Sequence, residues 1–415
     1  MWSHQCSLLF LGSALLLACP SASVPEPPTP EPTPQPSEPA AELMFSSTAY
    51  ARPSLGGDLT GDGVDNLVVQ DQSGNLVVLN SPLTEIPSIL ATLAPELPAQ
   101  AAAPMVGDLD GNGVFDLFTH EPGGGHVWEY YSPLDSSLLG HDWDFSAGPR
   151  SGLGQAGGTV DLDGDGGQDL LLAGPGVPDP ACGEDAVGTL LFRAPIQSGP
   201  LTPADADTVF RDEGALASCD GWFVRALDAN DDAVLDVMIG GRDGMAHIYF
   251  GPIPPGTLTR ADADIVLGDP GSDTWFWNDG VGVPGGVLLG YGQPGDVSAL
   301  GMAFVPGPLS AGTVAPADAS IWVTPSDAFG PVRVAAGDWN RDGLVDAAVT
   351  VTGGSEVSIV LGPLGDNSAR VGPRIPLVVG SGALFTADVD GDGRDELITG
   401  DEEMGFSVWR VRMPE

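Results

Sequence analysis

The chain has 415 residues, 57 of them acidic and 14 basic, for a formal net charge of −43 at neutral pH. A surface of that sign repels nucleic-acid phosphates and anionic membranes, so nucleic acid is excluded as a partner and cations are favoured. Hydrophobic residues make up 42%, enough to bury one large core or two ordinary ones, which excludes a chain disordered throughout.

In chain order, the first element is a short apolar run from Ser7 to Ala18 that ends in Leu16-Leu17-Ala18-Cys19. A membrane-spanning helix needs roughly 20 apolar residues. The run therefore predicts a lipoprotein signal peptide over 1–19 with Cys19 as the lipidated terminus, although only His4 stands where a Lys or Arg is usual. On this reading the protein is exported to the outer membrane or cell surface, with the periplasm as the other destination, and touches membrane only through its lipid. Residues 20–42 follow as a linker. Between Pro20 and Pro39 nine prolines alternate with Glu, Thr, Ser and Gln, a composition that forbids helix and sheet and favours polyproline II. At about 3.1 Å per residue such a stalk spans roughly 60 Å.

From residue 43 to the end the sequence repeats itself. Six copies of one loop stand out: Asp58-Leu-Thr-Gly-Asp-Gly-Val-Asp-Asn66, Asp108-Leu-Asp-Gly-Asn-Gly-Val-Phe-Asp116, Asp161-Leu-Asp-Gly-Asp-Gly-Gly-Gln-Asp169, Asp228-Ala-Asn-Asp-Asp-Ala-Val-Leu-Asp236, Asp338-Trp-Asn-Arg-Asp-Gly-Leu-Val-Asp346 and Asp388-Val-Asp-Gly-Asp-Gly-Arg-Asp-Glu396. Their first residues are separated by 50, 53, 67, 110 and 50 positions. The gap of 110 is two periods, with Asn278-Asp-Gly-Val-Gly-Val-Pro-Gly-Gly286 at its middle as a seventh copy that has lost its ligands. After each loop comes a short β-prone run such as Leu67 to Val69 or Leu170 to Leu172, then Gly-rich turn residues and a second run such as Glu356 to Leu361. Helical periodicity of 10 to 15 residues is missing between them. Seven units of about 50 residues built from short strands predict an all-β, seven-bladed β-propeller over 43–415 with EF-like calcium loops in the first hairpin of most blades. The last unit supplies three strands, so Leu43 to Ala51 should pair with the strand ending near Val411 and close the ring.

The loops carry the chemistry. Oxygen-bearing side chains stand at positions one, three, five and nine: Asp58, Thr60, Asp62 and Asn66; Asp108, Asp110, Asn112 and Asp116; Asp161, Asp163, Asp165 and Asp169; Asp228, Asn230, Asp232 and Asp236; Asp338, Asn340, Asp342 and Asp346; Asp388, Asp390, Asp392 and Glu396. In a tight turn alternate side chains point into one concavity, which makes a hard-oxygen cage suited to Ca²⁺ and too large and flexible for Mg²⁺. Up to about six Ca²⁺ ions are expected on this count. Judged by carboxylates alone, the third and seventh units should bind most tightly. The loops hold 22 of the 57 acidic residues, so bound ions would cancel much of the repulsion that opposes folding.

These loops resemble the FG-GAP repeats of integrin α-subunit propellers and related bacterial proteins, and the resemblance runs from about residue 43 to the C-terminus. It implies Ca²⁺ in hairpin loops on one face and ligand binding by loops of the opposite face. The Phe-Gly element of that family survives only in hints such as Trp222-Phe223.

Cys182 and Cys219 lie outside the signal region and form a candidate disulfide, too few ligands for a zinc site. The triplet Trp275-Phe276-Trp277 is either a core strand or, through Trp275 and Trp277, a platform for sugar rings or a protein partner. No Ser or Cys nucleophile motif lies near any of the five histidines. The expected function is therefore a monomeric calcium-binding adhesion or scaffold module for a protein or glycan. A propeller-fold carbohydrate-active hydrolase or lyase is the alternative.

Overall fold

The computed structural model describes residues 40–412 except 55–56, 72–74, 84–88, 93–101, 121–125, 131, 133–140, 145–156, 174–187, 197–201, 212–220, 242–243, 269–274, 294–295, 324–329, 366–369, 377–381 and 402–404. The signal peptide with Cys19, most of the 20–42 linker, and Cys182 with Cys219 lie outside the described residues.

The described residues are all-β apart from three single-turn 3₁₀ helices, at Pro203–Asp205, Arg260–Asp262 and Pro316–Asp318. Their strands form seven sheets, met in chain order. The first holds Tyr50–Ser54, Leu67–Asp71, Leu76–Leu79 and Ile89–Thr92, and the second Ala102–Gly107, Asp116–His120, His126–Tyr130 and His141–Asp144. The third holds Gly157–Val160, Asp169–Leu172, Thr189–Phe192 and Thr208–Arg211, and the fourth Gly221–Leu227, Asp236–Gly241, Ala246–Tyr249 and Ile265–Leu267. The fifth is Trp275–Val283, Gly286–Gln293, Asp296–Pro306 and Ser320–Val323; the sixth is Val332–Gly337, Asp346–Val351, Glu356–Leu361 and Arg370–Pro376. The seventh joins Ala383–Ala387, Glu396–Asp401 and Gly405–Arg412 to Ala40–Ser47 from the other end of the chain.

That last pairing realises the expected closure with one adjustment. Leu43 stands opposite Trp409 and Ser47 opposite Phe406, but the strand begins at Ala40, inside the expected linker, and Tyr50 and Ala51 already belong to the first sheet. The chain turns between the two sheets at Thr48 and Ala49.

The strand after each loop is apolar without alternation because it is buried on both faces, and successive side chains serve different cores. Leu67 and Val69 pack with the seventh sheet around Ile398 and Phe406, while Val68 packs with the second sheet around Val106 and Leu117. Each of the seven apolar clusters is shared by two consecutive sheets, and one joins the seventh to the first. The sheets thus close on themselves through packing as well as through the Ala40–Ser47 strand.

Two kinds of link stand out among those that bind neighbouring sheets beyond apolar contact. Asp279, on the first strand of the fifth sheet and almost fully buried, accepts from the Arg225 guanidinium of the fourth sheet at 2.8 Å and from the Val334 N–H of the sixth at 3.2 Å. At the outer rim, Gly256–Thr259 leaves the fourth repeat to pair in parallel with Thr208–Arg211, and Gly312–Val314 leaves the fifth to pair in parallel with Ile265–Leu267. These two straps cover outer edges that would otherwise present unpaired N–H and C=O groups.

The fifth repeat departs from expectation in detail. Residues 278–283, expected as the remnant of a loop, continue the strand Trp275–Val283, and the two-residue turn Pro284-Gly285 replaces the whole loop. Gly285 has φ +85°, the left-handed backbone that such a turn requires.

Candidate metal centres

All six nine-residue loops join the first and second strands of their sheets, and their internal hydrogen bonding follows one plan. The first residue folds the loop around its own carboxylate. Asp58 accepts from the N–H groups of Gly61 at 2.6 Å, Asp62 at 3.0 Å and Gly63 at 2.6 Å. Asp161 accepts from the same three positions of its own loop, Asp108 and Asp228 from the fifth and sixth, Asp388 from the fourth and sixth, and Asp338 from Gly343 at 3.0 Å. For Asp58, burial raises the carboxyl pKa, but the backbone donors of Gly63, Asp62, Gly61 and Thr60 outweigh it and hold the group below its ordinary value.

That curl needs left-handed backbone at positions four and six. Gly61 and Gly63 have φ +77° and +85°, and the fourth loop places Asp231 at +62° and Ala233 at +66° instead. A left-handed alanine costs about 1 kcal/mol, so Ala233 keeps the loop shape against its own preference. Sequence reasoning found the glycine at six and missed the same need at four.

The ninth residue closes the loop from below. It is fully buried in every copy, and one of its side-chain oxygens accepts the N–H of the second loop residue: Asn66 from Leu59 at 2.9 Å, Asp116 from Leu109 at 3.0 Å, Asp236 from Ala229 at 2.8 Å and Glu396 from Val389 at 3.3 Å. In four loops the other oxygen accepts the N–H of the residue just before a proline beyond the third strand, from Ser132, Ala194, Gly251 and Gly362 to Asp116, Asp169, Asp236 and Asp346 at 2.8 to 2.9 Å. Burial pushes the carboxyls of Asp116, Asp169 and Asp346 up to about 6 and that of Glu396 up to about 7, with backbone N–H bonds pulling the other way. Each such oxygen retains a lone pair for a metal.

Asp346→Ala therefore strands the Trp339 and Gly362 N–H groups in the interior, and the expected loss is about 3 kcal/mol in chemical denaturation. Asp346→Asn should lose less than half of that, because Asn66 already holds the same place in the first loop with its Nδ2 lacking a partner. Equal losses for the two variants would contradict this account.

Among the described residues, three loops gather acidic oxygens that all lie within 4.8 Å of one another: Asp108, Asp110 and Asp116; Asp161, Asp163 and Asp165; Asp388, Asp390 and Glu396. Of the predicted ligands in those three loops, Asn112, Asp169 and Asp392 stand outside the groups, and Asp58, Thr60, Asp62, Asn66, Asp228, Asn230, Asp232, Asp236, Asp338, Asn340, Asp342 and Asp346 share the loop plan without so tight a group of acids. In several loops an asparagine amide bridges two positions, from Asn112 to Asp110 at 3.1 Å, Asn230 to Asp232 at 2.9 Å and Asn340 to Asp342 at 2.9 Å. Trp275 and Trp277 lie on the first strand of the fifth sheet, with Trp275 opposite Gly292.

No family model and no curated protein matches the sequence. Solved structures match by fold. A crystal structure of BBS1N in complex with ARL6DN, soaked with lead, aligns over 91% of this chain and 96% of its own with a TM-score of 0.55 and 12% identity. Raptor from Chaetomium thermophilum aligns over 89% of this chain with a TM-score of 0.52 and 10% identity, and this chain spans 28% of its length. Both are β-propeller proteins, and the likeness places this all-β chain among folds of that kind.

Proposed function

We infer that the chain is a seven-bladed, FG-GAP-like β-propeller, exported with a lipid anchor, in which calcium is a structural ion and the face opposite the loops binds a protein or glycan. The observation that carries this reading is the common build of the six loops, three of which gather three carboxyl oxygens within 4.8 Å. Hard anionic oxygens at that spacing suit Ca²⁺. Glu396 fits the same chemistry, since its buried Oε1 accepts no hydrogen bond and faces a cation, the Arg410 Nε at 3.5 Å. A bound ion would supply positive charge to a chain whose formal charge is −43. The protein's own part is to fix the cage, through the first residue's grip on the loop backbone and the ninth residue's grip on the sheet.

The same geometry favours binding over catalysis. Carboxyls raised toward neutrality are the usual mark of a general acid. Here those groups are fully buried and accept backbone N–H bonds, so their shift follows from a structural task. A protein ligand draws support from the BBS1N structure, which is a complex with ARL6DN.

Equilibrium dialysis with radioactive calcium tests the reading directly: several ions per chain should bind at micromolar free Ca²⁺. In a glycan array, Trp275→Ala should lose any signal at unchanged calcium stoichiometry, whereas Asp110→Asn should lose an ion first. A chain that binds no calcium would overturn the proposal.

A further inference from the structure

The third and seventh loops are the two with aspartate at positions one, three and five, and each receives an arginine. Arg193 Nη1 donates to Asp163 Oδ2 at 2.7 Å, and its Nη2 reaches the Ile253 carbonyl of the next repeat at 2.6 Å. Arg410 donates to Asp390 Oδ2, with Asp392 Oδ2 and Glu396 Oε1 each at 3.5 Å. The two arginines hold the same place in the fold. Leu170 pairs with Phe192 and Leu397 with Trp409, and the arginine is the next residue in both sheets.

At that register, among the described residues, the other loop-bearing sheets carry Asn80, Phe250 and Leu361, none of them cationic. Their loops hold Thr60, Asn112, Asn230 or Asn340 at position three or five, which reduces the local negative charge. Among the described residues, the guanidinium is thus found at that register only where aspartates hold positions one, three and five of the loop. Both arginines keep 23% of their side-chain surface exposed, so each can swing outward.

We propose that Arg193 and Arg410 are tethered counter-ions that occupy the cation's place in the third and seventh loops, holding them folded without calcium and making them the weakest calcium sites of the six. This rests on the calcium reading above and reverses the order that a count of carboxylates gives. An entering ion must first break a charge-assisted pair, which costs affinity about tenfold.

Titration calorimetry on the full chain, with CaCl₂ as the only added ligand, tests this against Arg193→Gln, Arg410→Gln and Arg193→Lys. The wild type should show two ions fewer in its tight class than it has loops. Each glutamine variant should move one ion into the tight class with about a tenfold gain in affinity, and should melt lower than wild type in EGTA yet not in excess calcium. Arg193→Lys should keep the wild-type isotherm, and so should Arg374→Gln, which removes a surface partner of Glu356 at 2.9 Å. A glutamine variant that folds only with calcium present supports the tether. Six equally tight ions in wild type, unchanged by either glutamine substitution, overturn it and leave the calcium reading standing. If no variant binds calcium at all, both fall.

Discussion

Stripping divalent ions from the calcium-loaded protein with excess EGTA at neutral pH should lower its melting temperature by about 10 °C. Each loop saturated at a hundredfold over its dissociation constant contributes about 2.7 kcal/mol to the folded state. Four such loops contribute on the order of 10 kcal/mol, and a domain of this length unfolds with an entropy near 0.8 kcal/mol per kelvin, which sets the shift. Repulsion acts in the same direction, because the loops concentrate carboxylates on a chain of net charge −43. Added NaCl should therefore recover part of the loss by screening, and Mg²⁺ should recover less than Ca²⁺. A melting curve that EGTA leaves in place would show that the loops are held by their hydrogen bonds alone. The measurement is differential scanning calorimetry of one preparation with and without chelator.

Truncation to residue 48, which deletes Ala40–Ser47, should destabilise the protein by roughly 5 kcal/mol and make it self-associate. Met44 and Phe45 pack with the cluster around Phe406 and Val408, and the Phe45 ring lies 5.4 Å from that of Phe406. Each loses about 2 kcal/mol of burial on removal. The deletion also bares the Gly405–Arg412 ladder, an open edge that another chain can extend. Light scattering should show the aggregation, and a synthetic peptide of residues 40–47 should suppress it. A truncated chain that stays monomeric with an unchanged melting temperature would place the closure elsewhere.

Much of this architecture was legible in the sequence because the loops are rigid in spacing and the strand after each one is apolar on both faces. Leu67 to Val69 and Leu170 to Leu172 could be placed without alternation for that reason. The rest was hidden by physics of longer range. Gly256–Thr259 is half exposed and only four residues long, and it earns its strand conformation from a partner one repeat earlier. One signal could have exposed it. The tetrads Ala204-Asp-Ala-Asp207 and Ala261-Asp-Ala-Asp264 recur 57 residues apart, and Asp207 and Asp264 accept the N–H groups of Arg193 and Phe250 at equivalent places. At the candidate sites, position and ligand type could be read off, but the arginine pairs could not. Arg193 is thirty residues from Asp163 and meets it only because the third strand returns alongside the second.

The two outer straps change what counts as one repeat. In a ring of independent units, a single recombination could duplicate or delete any one of them, and the remainder would re-close at a new number. Here the third, fourth and fifth sheets trade an outer strand. Excising the fourth repeat would take Gly256–Thr259 away from Thr208–Arg211 and leave Gly312–Val314 without Ile265–Leu267. Loss of the middle unit thus strips strand partners from both of its neighbours, and that arc is expected to pass from sequence to sequence as a block.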